Sequence, residues 1–222
     1  MNALHAGLAT IIAATFVSSA VFADEPDPNR PDEDRDYSRT SLELGARLGY
    51  SIPWGNISGG DVLADSAENR IPLLVELGLR FHGRLSVGMY LGYSAVNVNS
   101  NGLFTSGNIV DVGLQGAFHM NHRGWVDPWI GGGIGWEIFN FHQTIAGVDS
   151  SGDLNGVSFK LDGGIDFMII QRTLGIGPFV AITFAQYDNC DNGGTNANCT
   201  VPDQRWHGWF TVGARGYYDI GL

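Results

Sequence analysis

Lysine is almost absent from this chain: Lys160 is the only one among 222 residues. Charged residues of every kind amount to 16%, against about 25% in an average soluble domain. A soluble β protein covers its exterior with Lys and Glu, and this chain has too few charges to do so. Arginine and lysine together number 12 against 23 acidic residues, for a net charge of −11. Phosphate contacts need Lys and Arg, so the chain is not expected to bind nucleic acid. Cysteine is also scarce, with Cys190 and Cys199 alone. No histidine stands beside them in "DNCDNGGTNANCTVPDQ". The same stretch starts like a calcium loop but places Cys190 at a ligand position and lacks the closing Glu. No metal and no cofactor is therefore expected.

Glycine is the opposite case, with 32 residues, about double the average usage of roughly 7%. Residues 1–23 read as a secretory signal: "AGLATIIAATFVSSAVFA" is apolar and ends in small residues, with Val21-Phe22-Ala23 as the cleavage site before Asp24. The run is short for a spanning helix. No cysteine follows it, which excludes a lipoprotein anchor. Residues 24–39, "DEPDPNRPDEDRDYSR", are acidic, proline-rich and nearly free of apolar side chains. Such a segment buries too little surface to fold and reads as a disordered leader. In an exported chain, two cysteines this close predict a Cys190–Cys199 disulfide.

Residues 40–222 carry the folding signal. In "GVSFKLDGGIDFMII", residues 156–170, every second position from Val157 to Ile169 is apolar or glycine. The interleaved positions hold Lys160, Asp162 and Asp166. The same period of two recurs eight times, from Leu42–Ile52 to Trp206–Leu222, and predicts eight strands. Short turns "HGR", "NHRG" and "QRTLG" alternate with longer polar connections between strands 1–2, 3–4, 5–6 and 7–8. That rhythm predicts an all-β, antiparallel, up-and-down transmembrane barrel, whose strands need about 9–11 residues to span.

Period alone leaves open a lipocalin-like barrel with its apolar face inside. Three features favour lipid outside. The apolar face carries no charge in any strand. Its aromatics gather near strand ends: Tyr50, Tyr93, Trp136, Phe159, Phe184 and Trp206 toward the long connections, and Phe81, Phe118, Phe167 and Tyr218 toward the short turns. Two such girdles are expected at membrane interfaces. The other face mixes charges of both signs with small residues.

The pattern over residues 40–222 resembles the small eight-stranded outer-membrane barrels of the OmpA-like and OmpX-like type. Members of that family usually end in an aromatic residue read by the barrel-assembly machinery. This chain ends "GYYDIGL", with Tyr218 and Ile220 outward and Leu222 last. The resemblance implies a Gram-negative outer membrane, periplasmic termini and long loops outside the cell. It further implies contact with outer-membrane lipid and lipopolysaccharide, and insertion by the assembly machinery.

Charges facing the lumen of so narrow a barrel must pair. The candidates are Glu43, Arg47, Glu76, Arg80, Asp111, His119, Asp127, Glu137, Lys160, Asp162, Asp166 and Arg215. Hairpin registers that match opposite signs set Glu43 opposite Arg80, Arg47 opposite Glu76, Glu137 opposite Lys160 and His119 opposite Asp127. Asp162 and Asp166 are left to Arg215, water or a proton. A plug of ion pairs is the favoured reading, with loops that contact ligands, partners or lipopolysaccharide. A narrow gated pore is the alternative. A lipid A-modifying enzyme is the least favoured. It would need a Ser–His pair near the outer end, where His142, His207, Ser94 and Ser158 fall; no His-x-Ser pair is present and no catalytic residue is assigned.

Overall fold

The computed structural model describes residues 40–58, 63, 67–98, 106–121, 124–145, 148–170, 173–192, 198–201 and 203–222. The signal segment 1–23 and the leader 24–39 lie outside the described residues. The described residues form nine strands in order: β1 (Thr40–Gly55), β2 (Ala67–Phe81), β3 (Leu85–Val98), β4 (Ser106–His119), β5 (Val126–Ile145), β6 (Val148–Ile170), β7 (Leu174–Asn192), β8 (Asn198–Thr200) and β9 (His207–Gly221). Neighbours in the chain pair antiparallel from β1 to β7, β7 pairs with β9, and β9 returns to β1. All strands but β8 therefore form a closed eight-stranded barrel with no free wall edge. The three-residue β8 hangs on β7 alone.

The alternation sets the faces. Leu91, Leu114, Ile130 and Leu161 are each more than half exposed, whereas Arg47, Glu76, Arg80 and Arg215 are buried. This is the reverse of a water-soluble protein, whose exposed apolar residues are single and scattered. Backbone polar groups in such a wall are satisfied between strands, as a spanning structure requires. The aromatics predicted as girdles lie on the outer face; Tyr50, Tyr93, Trp136, Phe159, Trp206, Phe118, Phe167 and Tyr218 are exposed, and Phe81 and Phe184 partly so. Trp125 extends the short-turn girdle and meets Phe167 at 6.2 Å between ring centroids. The turn from β2 to β3 is tight: His82 and Gly83 take φ of 52° and 67°, and Arg84 N–H donates to the Phe81 carbonyl at 3.0 Å. Two positive φ values match the right-handed twist of a hairpin.

Two expectations need correction. The connection between strands five and six is not a long polar loop, because β5 and β6 stay paired up to Ile145 opposite Val148. Together with β7 they contain 20, 23 and 19 residues, well beyond the spanning need of about 9–11, so paired sheet continues past the apolar belt. The registers also differ. In the first hairpin Glu43 faces Gly78, Gly45 faces Glu76 and Arg47 faces Leu74. His119 faces Trp129. In the β5–β6 hairpin Glu137 faces Gly156 and Lys160 faces Gly133. Sliding a strand by two or four positions leaves every side chain on its proper face, so opposite charges in the sequence fix parity but not register.

The glycines explain how a narrow lumen holds large side chains. A Cβ added at Gly164 would lie 3.1 Å from the Trp129 ring, one added at Gly107 would lie 2.7 Å from Phe139, and one added at Gly213 would lie 2.8 Å from Phe179. At these three inward positions a side chain would meet a ring on a neighbouring strand, the small-against-large packing of small barrels, while Gly45 leaves room for Glu76.

Candidate functional site

The lumen is built from inward positions of all eight wall strands. Near the short turns, Arg80 Nε donates to Glu43 at 2.8 Å, and its Nη1 lies 3.1 Å from Asp219. Arg80 Nη2 lies 3.2 Å from His119 Nε2, and His119 Nδ1 lies 2.8 Å from Asp127. An arginine only donates, so His119 accepts at Nε2 and donates from Nδ1 to Asp127. Arg215 joins three strands: it contacts Glu43 of β1, donates to Asp166 of β6 at 3.0 Å, and lies 3.4 Å from Glu76 of β2.

At mid-height, Arg47 reaches Glu76 at 2.6 Å and Asp162 at 2.5 Å. Two guanidinium groups lie over the Trp129 ring, with Arg47 Cζ 4.9 Å and Arg215 Cζ 4.7 Å from its centroid. Cations over an indole face are favourable, and more so away from water. Lys160 donates to Gln115 at 2.9 Å, lies 3.6 Å from Asp162, and rests over the Tyr90 ring at 4.1 Å. Lys160 is thus bound to β4 and its own strand, not to Glu137.

Toward the long connections, Arg70 lies 3.4 Å from Glu137 and 3.5 Å from Asp111. Its guanidinium stacks on Trp209 at 4.6 Å. Tyr187 donates to Glu137 at 2.6 Å, and His207 Nε2 is 3.5 Å from the same oxygen. Between this layer and the middle one lies a cavity of about 30 Å³, lined by Arg47, Arg70, Tyr90, Asp111, Lys160 and Thr211 among others. That is room for a few waters at most. Above the outer layer the lining turns apolar, with Ile57, Leu63, Val96, Ile109, Phe139 and Val201 buried around Trp209.

All twelve predicted lumen residues therefore face inward and are buried. Glu43 with Arg80, Arg47 with Glu76 and His119 with Asp127 meet diagonally across strands rather than directly opposite. Asp166 meets Arg215, whereas Asp162 meets Arg47. Sequence reading leaves Arg70, Asp219, Tyr187, His207 and the inward rings Trp129 and Trp209 out of the lumen set. Arg70 has the same even parity as Glu76 and Arg80, a usable signal. It is lost because the apolar alternation starts only at Ile71. His207 is occupied by Glu137 and by the Tyr187 ring at 4.2 Å, and Ser94 is wholly buried.

Cys190 stands directly opposite Cys199 in the β7–β8 ladder. Among the described residues no cysteine is free.

No protein-family model matches the chain, and no curated protein matches it. Several solved structures are similar in shape. Neisserial surface protein A is 11% identical with a TM-score of 0.47, covering 79% of this chain and 95% of its own. The outer-membrane protein OprG from Pseudomonas aeruginosa is 12% identical with a TM-score of 0.49, covering 84% and 99%. Ail, the attachment invasion locus protein of Yersinia pestis, is 13% identical with a TM-score of 0.43, covering 79% and 98%. At such identities the likeness concerns architecture, and the weight rests on the closed ladder and its inverted polarity. By those two features the chain has the fold of a small eight-stranded outer-membrane β-barrel.

Proposed function

We propose that the protein is a non-enzymatic barrel of a Gram-negative outer membrane whose lumen is a plug. In this reading both termini lie in the periplasm. The long connections and the sheet extension of β5–β8 lie outside the cell, where they meet ligands, partner proteins or lipopolysaccharide. The barrel-assembly machinery inserts the chain from the periplasmic side. The observation that carries the plug is the lumen itself. Arginine side chains cross it at three heights, each bonded to carboxylates on two or more strands, and the cavity between the upper two layers has room for only a few waters. Ions cannot pass without breaking buried pairs, each costing several kcal/mol when one partner is stranded, about 3–5. The Cys190–Cys199 disulfide belongs to the same reading: directly opposed residues of an antiparallel pair have Cα atoms about 4.5–5.5 Å apart, inside the range a disulfide spans.

The test is planar-bilayer conductance of the folded full-length protein. A plugged barrel gives no ohmic steps at moderate voltage. Regular single-channel steps that Arg47→Ala enlarges would establish a pore instead. Mass spectrometry of lipid A incubated with the protein checks the non-enzymatic reading, which predicts no change in mass.

A further inference from the structure

We propose that Cys190 and Cys199 form a redox latch on an apolar lid that seals the long-connection end of the lumen. The inference rests on the disulfide reading above and goes beyond it in assigning the bond a role.

The lid is built by residues that do not belong to the barrel wall. Ile57 and Leu63 come from the β1–β2 connection and Val201 from the residue after β8; all three are buried in one cluster with Val96, Ile109, Phe139 and Trp209. Directly beneath is the outer ionic layer. Trp209 is the boundary, with lid residues around it and the Arg70 guanidinium against its ring. His207 belongs to that layer and has no exposed surface.

What holds Val201 in place is slight. The β7–β9 ladder ends at Ala185 opposite His207. Beyond it, β8 is tied to β7 by three residue pairs, and Val201 N–H donates to the Asp188 carbonyl at 3.2 Å. β7 is itself paired with β6 as far as Asn192, so the weak element is β8, a three-residue edge strand held on one side only. The middle pair is Cys190 with Cys199, two residues before Val201. Cys190 itself packs against the lid cluster. A bond between the two sulfurs therefore fixes both β8 and the lid residue that follows it.

Reduction by a dithiol takes two electrons and two protons from the reductant, breaks the sulfur–sulfur bond and leaves two thiols, while the dithiol closes to its own disulfide. β8 then parts from β7 on the local scale at which weakly paired segments open. Val201 leaves the cluster, and water reaches Trp209 and His207. The layers around Arg47 and Arg215 stay shut, because the wall ladders that hold them do not involve β8.

The histidines supply the test. Folded full-length protein in detergent is treated with diethyl pyrocarbonate and mapped by peptide mass spectrometry. One sample is oxidised; the other is reduced, alkylated and freed of reductant. His82, in an exposed turn, reacts in both. His119, buried near the short turns, reacts in neither while the barrel stays closed. His207 is expected to react about tenfold faster or more after reduction. Val201→Asp is expected to produce the same rise without reductant. An unchanged His207 rate with both cysteines alkylated overturns the latch. Labelling of His119 on reduction also overturns it, since the bond would then be holding the barrel. Alkylation of both cysteines before any reductant is added defeats the disulfide reading itself.

Discussion

Arg47 of β1 meets Asp162 of β6 across the lumen, Nη1 to Oδ2 at 2.5 Å, although their strands are not neighbours in the wall. The pair ties opposite sides of the barrel through its interior rather than around its ladder.

Arg47→Ala leaves Asp162 with Lys160 alone, at 3.6 Å, and deprives Glu76 of one of its two arginines. The expected loss is at most about 3–5 kcal/mol, the cost of a fully uncompensated buried charge. Asp162→Ala alone is also destabilising, and the double variant should lose clearly less than the sum of the two. Urea unfolding in lipid vesicles reads the cycle. Strict additivity would mean that the two residues do not interact.

Gly164 leaves room for the Trp129 ring over which two guanidinium groups lie. Gly164→Leu should overpack the lumen and cost about 1–3 kcal/mol. At Gly216, on the outer face, an added Cβ meets nothing nearer than 3.8 Å, so Gly216→Ala should stay within about 0.5 kcal/mol. The same unfolding assay separates them, and equal losses would contradict the packing account.

Leu114 stands well along β4 on the outer face and is 62% exposed. In a lipid-embedded barrel Leu114→Arg should cost about 2–4 kcal/mol, while Met120→Arg, beyond the short-turn end of β4, should cost about 0–1. Vesicle unfolding measures both. A neutral Leu114→Arg would place that face in water.

The fold was legible because alternation is a local signal: Leu42 to Ile52 or Leu85 to Tyr93 declares a face with no knowledge of its neighbours. The lumen was legible only as a set of charges. Glu43, Arg80, Arg47 and Glu76 announce opposite signs on one face, yet a two-residue slide keeps those faces and changes every partner. Pairs such as Arg47–Asp162 and Arg215–Asp166 join strands far apart in the chain, and nothing local encodes them. The β5–β6 extension looks like a loop in the sequence for a related reason. Outside the apolar belt a strand needs no alternating apolar face, and "NFHQTIAGVDSSGDLN" shows none. Aromatic partners were lost because Trp129 and Trp209 sit at inward positions, where their rings serve cations instead of lipid.

The central claim is that the apolar face meets lipid while the charged face fills a closed interior. Tryptophan quenching by brominated lipids tests it most directly, using variants that replace one tryptophan at a time by phenylalanine in refolded vesicles. Trp136 and Trp206 are outward, 39% and 48% exposed, whereas Trp129 and Trp209 are 2% and 1% exposed inside the barrel. Removing Trp136 or Trp206 is expected to lower the quenchable fraction of the emission, and removing Trp129 or Trp209 to raise it. The opposite assignment, with Trp129 and Trp209 carrying the lipid-quenched signal, would contradict it.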